Sequence, residues 1–158
     1  MARNWLASLT DGIVAGAAGT LARELFSNLD VGVRARPMSD THERAVQRMV
    51  DLAHVNLGPA DRAANRRAGF GPVLGIVNGV LAVSLFAALT GRRRPPLPVA
   101  AVVIGIGGML VADGSMTALG VTDPRRWGAE GWLEDAVPYV AYGLVAAATL
   151  ERLDRGRC

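Results

Sequence analysis

The chain has 158 residues, 51% hydrophobic and only 20% charged, with a formal net charge of +3 and a mean hydropathy of +0.26; a soluble domain is about one quarter charged, so an ordinary soluble domain fits poorly. All 17 basic residues are arginine, and they flank apolar runs instead of lining one face, which argues against a nucleic-acid partner and for membrane-edge charge. The single cysteine, Cys158, leaves no intramolecular disulfide and no cysteine metal cluster.

The first predicted element covers residues 5–26. Its centre, GIVAGAAGTLA, is apolar and regular, although Asp11, Arg23 and Glu24 interrupt the run. Asp11 falls too early for the h-region of a signal peptide, so the segment reads as a helix of the mature chain. Gly12 and Gly16 form a G-xxx-G pair, with Ala15 and Gly19 on a neighbouring stripe. In lipid such small residues let helix backbones approach closely.

A polar stretch follows, residues 27–69. Within it, residues 40–57 read as one amphipathic helix: Asp40 and Glu43 make an aspartate version of the capping box, and Gly58-Pro59 stops it. Val46, Met49, Val50, Ala53 and Leu57 trace a single apolar stripe, as in a helix lying on a membrane surface or capping a bundle.

Three further spans are predicted. A crossing needs about 20 mostly apolar residues. Residues 70–90 meet this without a charge and carry a second G-xxx-G pair, Gly75 and Gly79. Residues 97–121 meet it with one charge, Asp113. Residues 132–150 meet it if Trp132 and Leu133 join, with Glu134, Asp135 and Pro138 in or near the first turn. The competing arrangement has three spans and an N-terminal helix at the interface. The halves also rhyme: DVGVRARP follows the first span and ALGVTDPRR the third, as in a parallel duplication.

The expected fold is therefore all-α: an integral membrane four-helix bundle with an additional amphipathic interfacial helix, one domain over residues 1–158. The bilayer is its first partner, and a membrane-protein partner or a second copy is the further one. On the N-terminal side lie Arg3, Arg92 to Arg94, Arg152, Arg155 and Arg157. The opposite side carries more arginines, Arg34, Arg36, Arg44, Arg48, Arg62, Arg66, Arg67, Arg125 and Arg126, most of them in a longer connector. The positive-inside rule alone does not decide, and the density of the short loop GRRRPPLP is taken to put both termini in the cytoplasm.

Charges inside hydrocarbon tend to be paired or functional. At a rise of 1.5 Å per residue, Asp113 lies roughly 24 Å and Arg23 roughly 27 Å from the N-terminal side. Matching depth suggests an Arg23–Asp113 ion pair. Asn78 falls near mid-membrane beside Tyr139 and Tyr142, where an amide and a hydroxyl would satisfy one another. Asp11 is expected to reach the surface. His42 and His54 are twelve apart and make no helical metal pair. The sequence contains no P-loop, no dinucleotide fingerprint, no H-E-x-x-H and no nucleophile elbow, so no catalytic residue, cofactor or metal is predicted.

The stretches AGAAGTLARELFSNLDVGVRARPMSDT and ADGSMTALGVTDPRRWGAEGWLEDAVPYVAYGLVAAATL resemble a family of small uncharacterised actinobacterial multi-pass membrane proteins. ALGVTDPRRW and LEDAVPYVAYG are their most specific parts. The resemblance implies a membrane location and no assigned activity. The expected role is a structural or accessory component, and the alternative is a small transporter or channel with a polar path near Asp113, Asn78 and Tyr142.

Overall fold

A computed structural model describes residues 5–91 and 93–156. Arg3, Arg92, Arg157 and Cys158, used above in the charge and cysteine arguments, lie outside the described residues. The described chain is all-helical: α1 (Trp5–Arg34), α2 (Thr41–Leu52), α3 (Ala60–Thr90), α4 (Leu97–Ala118), a 3-10 turn (Pro124–Arg126) and α5 (Ala129–Arg155). The four long helices run alternately up and down. α1 packs against both α3 and α5, α4 against α5 and more lightly against α3, and α2 lies across α3.

Three helices outrun their predicted apolar stretches because polar contacts support the added turns. α1 continues past Phe26: the Asn28 side-chain amide donates to the Glu24 carbonyl at 2.7 Å, and Arg34 ties the last turn to Glu130 and Glu134 of α5. α3 begins at Ala60 instead of Phe70. Pro59 precedes it, Asp61 sits in the first turn where the dipole favours an acid, and Arg67 donates to Gln47 of α2 at 2.8 Å. α5 begins at Ala129, so Pro138 is its tenth residue and not a first-turn proline. Lacking an N–H, Pro138 leaves the Glu134 carbonyl without its helical donor.

Two helices fall short of the expectation. α4 stops at Ala118: Gly120, at φ 70°, lets the Val121 and Gly120 N–H groups fold back onto the Met116 and Thr117 carbonyls, both at 2.9 Å. α2 stops at Leu52, with His54 in the left-handed region at φ 54°, so Leu57 leaves the predicted stripe. Ala45 and Val46 are the buried residues of α2, while Met49 is exposed. The predicted capping box does not form. The Asp40 side chain makes no cap bond; it instead accepts from Arg44 Nε at 2.9 Å.

The interior is built from small residues. A Cβ on Gly12 would meet the Ser84 backbone at 2.5 Å, and one on Gly16 the Val80 backbone at 2.7 Å. One on Gly105 would meet the Tyr139 carbonyl at 2.9 Å, and one on Gly143 would strike the Ala101 carbonyl. The rhyming halves thus form two helix pairs, α1 with α3 and α4 with α5, each closed by glycines. Their connectors differ: DVGVR ends α1 as helix, whereas the counterpart after α4 is a turn.

Candidate functional site

Two ends define the molecule. The terminal end holds the start of α1, the α3–α4 loop and the end of α5; the connector end holds α2 and the 3-10 turn.

The terminal end is closed by Arg94. Its side chain is only 9% exposed and donates to the Leu150 carbonyl at 2.9 Å and to Asp154 at 2.6 Å, with Asp11 at 3.7 Å. Asp11 is buried at 3% exposure instead of reaching the surface. Above it the core is closely packed: Ala15, Val83, Ala87, Ala146 and Leu150 are all at 1% exposure or less.

The connector end opens into a vestibule of about 430 Å³ lined by residues of α1, α2, α4 and α5. On α1, Gly12, Gly16, Gly19 and Arg23 fall on one helical stripe, so the face that packs in the core delivers Arg23 to the vestibule floor. On α5, Asp135, Tyr139 and Tyr142 share another, at i, i+4 and i+7. Arg23 pairs with Glu24 of its own helix, and its guanidinium lies over the Tyr139 ring, 5.4 Å from the centroid. Asp113 faces the carboxyl of Asp135, and each of the two acids keeps one buried oxygen with no hydrogen-bond partner among the described residues.

The expected Arg23–Asp113 ion pair is thus replaced. Both residues line the vestibule, but the cation is held by Glu24 and Tyr139, while Asp113 faces the carboxyl of Asp135. Glu24 wins because it is the next residue and needs no interhelical reach.

Tyr142 lies behind Tyr139, one turn further along α5 and outside the vestibule lining. Its hydroxyl donates to the Gly79 carbonyl at 2.5 Å, its ring meets Tyr139 edge-on at 5.9 Å, and a Cβ on Gly108 would overlap that ring. The expected Asn78–tyrosine pair does not form, since the hydroxyl finds the backbone oxygen one residue further along α3. Asn78 is half-buried and does not line the vestibule.

α2 closes part of the mouth. The His42 ring lies against α3, where a Cβ on Gly75 would come within 3.1 Å of Nε2. Burial, and then the nearby Arg23 charge, hold the imidazole below its ordinary 6.5. Arg44 donates across to the Val121 carbonyl at 3.1 Å. At the rim, Arg36 donates to Asp30 at 2.6 Å and holds that carboxyl below the usual carboxylate range.

Asp135 and Arg94 are the site residues that sequence reasoning passed over. Placing the start of α5 at residue 132 made Asp135 a first-turn acid; its i, i+4 and i+7 relation to the two tyrosines was the available signal. Arg94 was one of a basic triplet, and nothing local marks it as buried. No cluster of three or more His, Cys, Asp or Glu side chains suited to a metal occurs among the described residues. Comparison with family models, curated proteins and solved structures finds no match.

Proposed function

We propose that this is a small multi-pass membrane protein in which α1, α3, α4 and α5 cross the bilayer and α2 lies at the interface. One observation carries the reading. Two helices, α3 and α4, are long and apolar enough to cross a membrane, and their most apolar windows are only 22% and 33% buried. A core helix of a soluble protein would hide that surface. Here Val73, Ile76, Leu81, Leu85, Val102, Ile106 and Leu110 are exposed, while alanine and glycine fill the inside. Such an exposed apolar belt is tolerable in lipid and a strong aggregation liability in water. The test is fractionation: the full-length chain should remain in the membrane pellet after an alkaline carbonate wash and need detergent for release. Recovery as a soluble monomer without detergent overturns the reading.

Within that frame the chain acts as an accessory or structural component that presents a one-sided polar vestibule. The closely packed interior below Tyr142 and the Arg94 cluster at the far end support this role over that of a conduit. The two carboxylates with unpartnered oxygens favour a second reading, a transporter whose Tyr142 plug opens. Liposome flux separates them. Accessory function predicts no ion or proton flux above empty vesicles, and transport predicts flux that Asp113→Asn abolishes. The G-xxx-G faces are consumed inside the chain, so a partner would engage the outer apolar belt or the connector end.

A further inference from the structure

We propose that a second hollow at the connector end, between α2, the end of α4 and the 3-10 turn, binds the phosphate of an anionic phospholipid headgroup. The inference rests on the membrane reading above. The hollow has a volume of about 780 Å³, and its lining includes Arg44, Arg125, Arg126, Thr117 and Thr122, with Asp123 as its one carboxylate.

The charges there are unequally committed. Arg44 is occupied by Asp40 and by the Val121 carbonyl. Asp123 accepts the Arg125 backbone N–H at 3.1 Å, which fixes the turn. The Arg125 and Arg126 side chains are exposed and have no ion-pair or hydrogen-bond partner among the described residues. The α4 carbonyls that would add negative potential are capped by Leu119, Gly120 and Val121. What remains is a concave surface with two uncommitted guanidinium forks, whose geometry matches phosphate oxygens.

Its depth selects a lipid over a free phosphate. Trp127 also lines the hollow; its ring meets Trp132 edge-on at 5.1 Å, and its Nε1 donates to Thr122 at 3.2 Å. Tryptophans of this kind sit at headgroup level. One to two turns into α4 from the hollow, Leu110 and Val111 are exposed and offer acyl chains an apolar wall. Arginines near a membrane surface attract anionic lipid through charge alone; here two of them also share one hollow.

The experiment uses full-length protein in nanodiscs of equal phosphatidylcholine and phosphatidylglycerol, with retained lipid counted by native mass spectrometry. The expected result is one phosphatidylglycerol held with a preference of about tenfold. That preference should be lost in the Arg125→Gln/Arg126→Gln variant and kept in Arg152→Gln/Arg155→Gln at the other end. No preference in the wild type, or an equal one in both double variants, overturns the site alone. Displacement of the lipid by millimolar inorganic phosphate reassigns the hollow to a soluble anion and also overturns it. A chain that never enters the nanodisc overturns the membrane reading and the site together.

Discussion

The two ends of the helical bundle solve the problem of internal charge in opposite ways. At the terminal end one cation, Arg94, is shared between Asp11 and Asp154, and its side chain is nearly sealed at 9% exposure. At the connector end the carboxyls of Asp113 and Asp135 face one another at the vestibule wall, with Arg23 close by but bound to Glu24. Opposite charges in contact let an end close, whereas like charges in contact need room for solvent or a ligand. The lesson is that a closed end implies complementary charge and an open one implies unspent hydrogen-bonding capacity. The closed end is where structure is held, and the open end is where binding can occur.

If that contrast is right, damage at the closed end should be the larger. Arg94→Met takes the shared cation from two acids, one of them buried, and should cost about 3 kcal/mol in detergent-solubilised protein. Denaturant or thermal unfolding measures this, and Asp11→Asn in the same chain should recover part of the loss. A change within about 0.5 kcal/mol would mean that Arg94 is not what closes the end. Next is Gly143→Ala, where the added methyl meets the Ala101 carbonyl and the Gly105 backbone. Backbone cannot yield as a side chain can, so a loss of about 2 kcal/mol is expected. The companion Gly75→Ala meets only side chains, the His42 ring edge at 3.1 Å and the Arg23 guanidinium at 3.5 Å, and should cost less than half as much.

At the open end the sign should reverse. Asp113→Asn supplies an N–H donor to the unpartnered oxygen of Asp135 and removes one of two facing carboxyls. Stability should rise by about 1 kcal/mol. An ion pair between Arg23 and Asp113 would instead predict a loss, and the same unfolding measurement decides between them.

How far these ends were legible from sequence depends on whether their contacts are local. Helix type and number follow from apolar run length, so all five helices were foreseeable. The depths of Arg23 and Asp113 follow from helical rise alone, which is why both reach one vestibule. Partner choice does not follow. Arg23 had Glu24 beside it in the chain and Asp113 across a helix interface, and only packing shows which is reached. Asp135 was obscured by a three-residue error in where α5 begins. Arg94 lies in a triplet of identical residues, and only the return of α5 beside the α3–α4 loop singles it out. Tyr142 prefers the Gly79 carbonyl to Asn78 because close packing at glycine exposes backbone, a consequence of small residues that periodicity cannot display.

A smaller effect should appear with pH. The His42 imidazole sits below its ordinary 6.5 in the folded chain, so the unfolded state binds the proton more readily. Its contribution is complete above about pH 6.5 and declines as pH falls through the interval below. Unfolding midpoints between pH 7.5 and 5 should therefore show an acid-side decline that is shallower in His42→Gln. An unchanged slope in that variant would place the decline elsewhere.

The smallest expected effect concerns the helix that partly covers the open end. A capping aspartate usually contributes about 1 kcal/mol through a bond to the helix N–H groups. Asp40 makes no such bond, and among the described residues its side chain pairs with Arg44 alone, at 2.9 Å, an exposed i,i+4 pair. Pairs of that kind are worth about 0.3–0.5 kcal/mol, so Asp40→Ala should lower stability by no more than that. The substitution also removes the carboxylate partner of Arg44, which keeps its bond to the Val121 carbonyl, beside the hollow it shares with Arg125 and Arg126. Retention of phosphatidylglycerol should rise as stability falls slightly. A loss near 1 kcal/mol with unchanged lipid retention would show that Asp40 does cap α2, and that Arg44 stays tied to the α4–α5 connector without it.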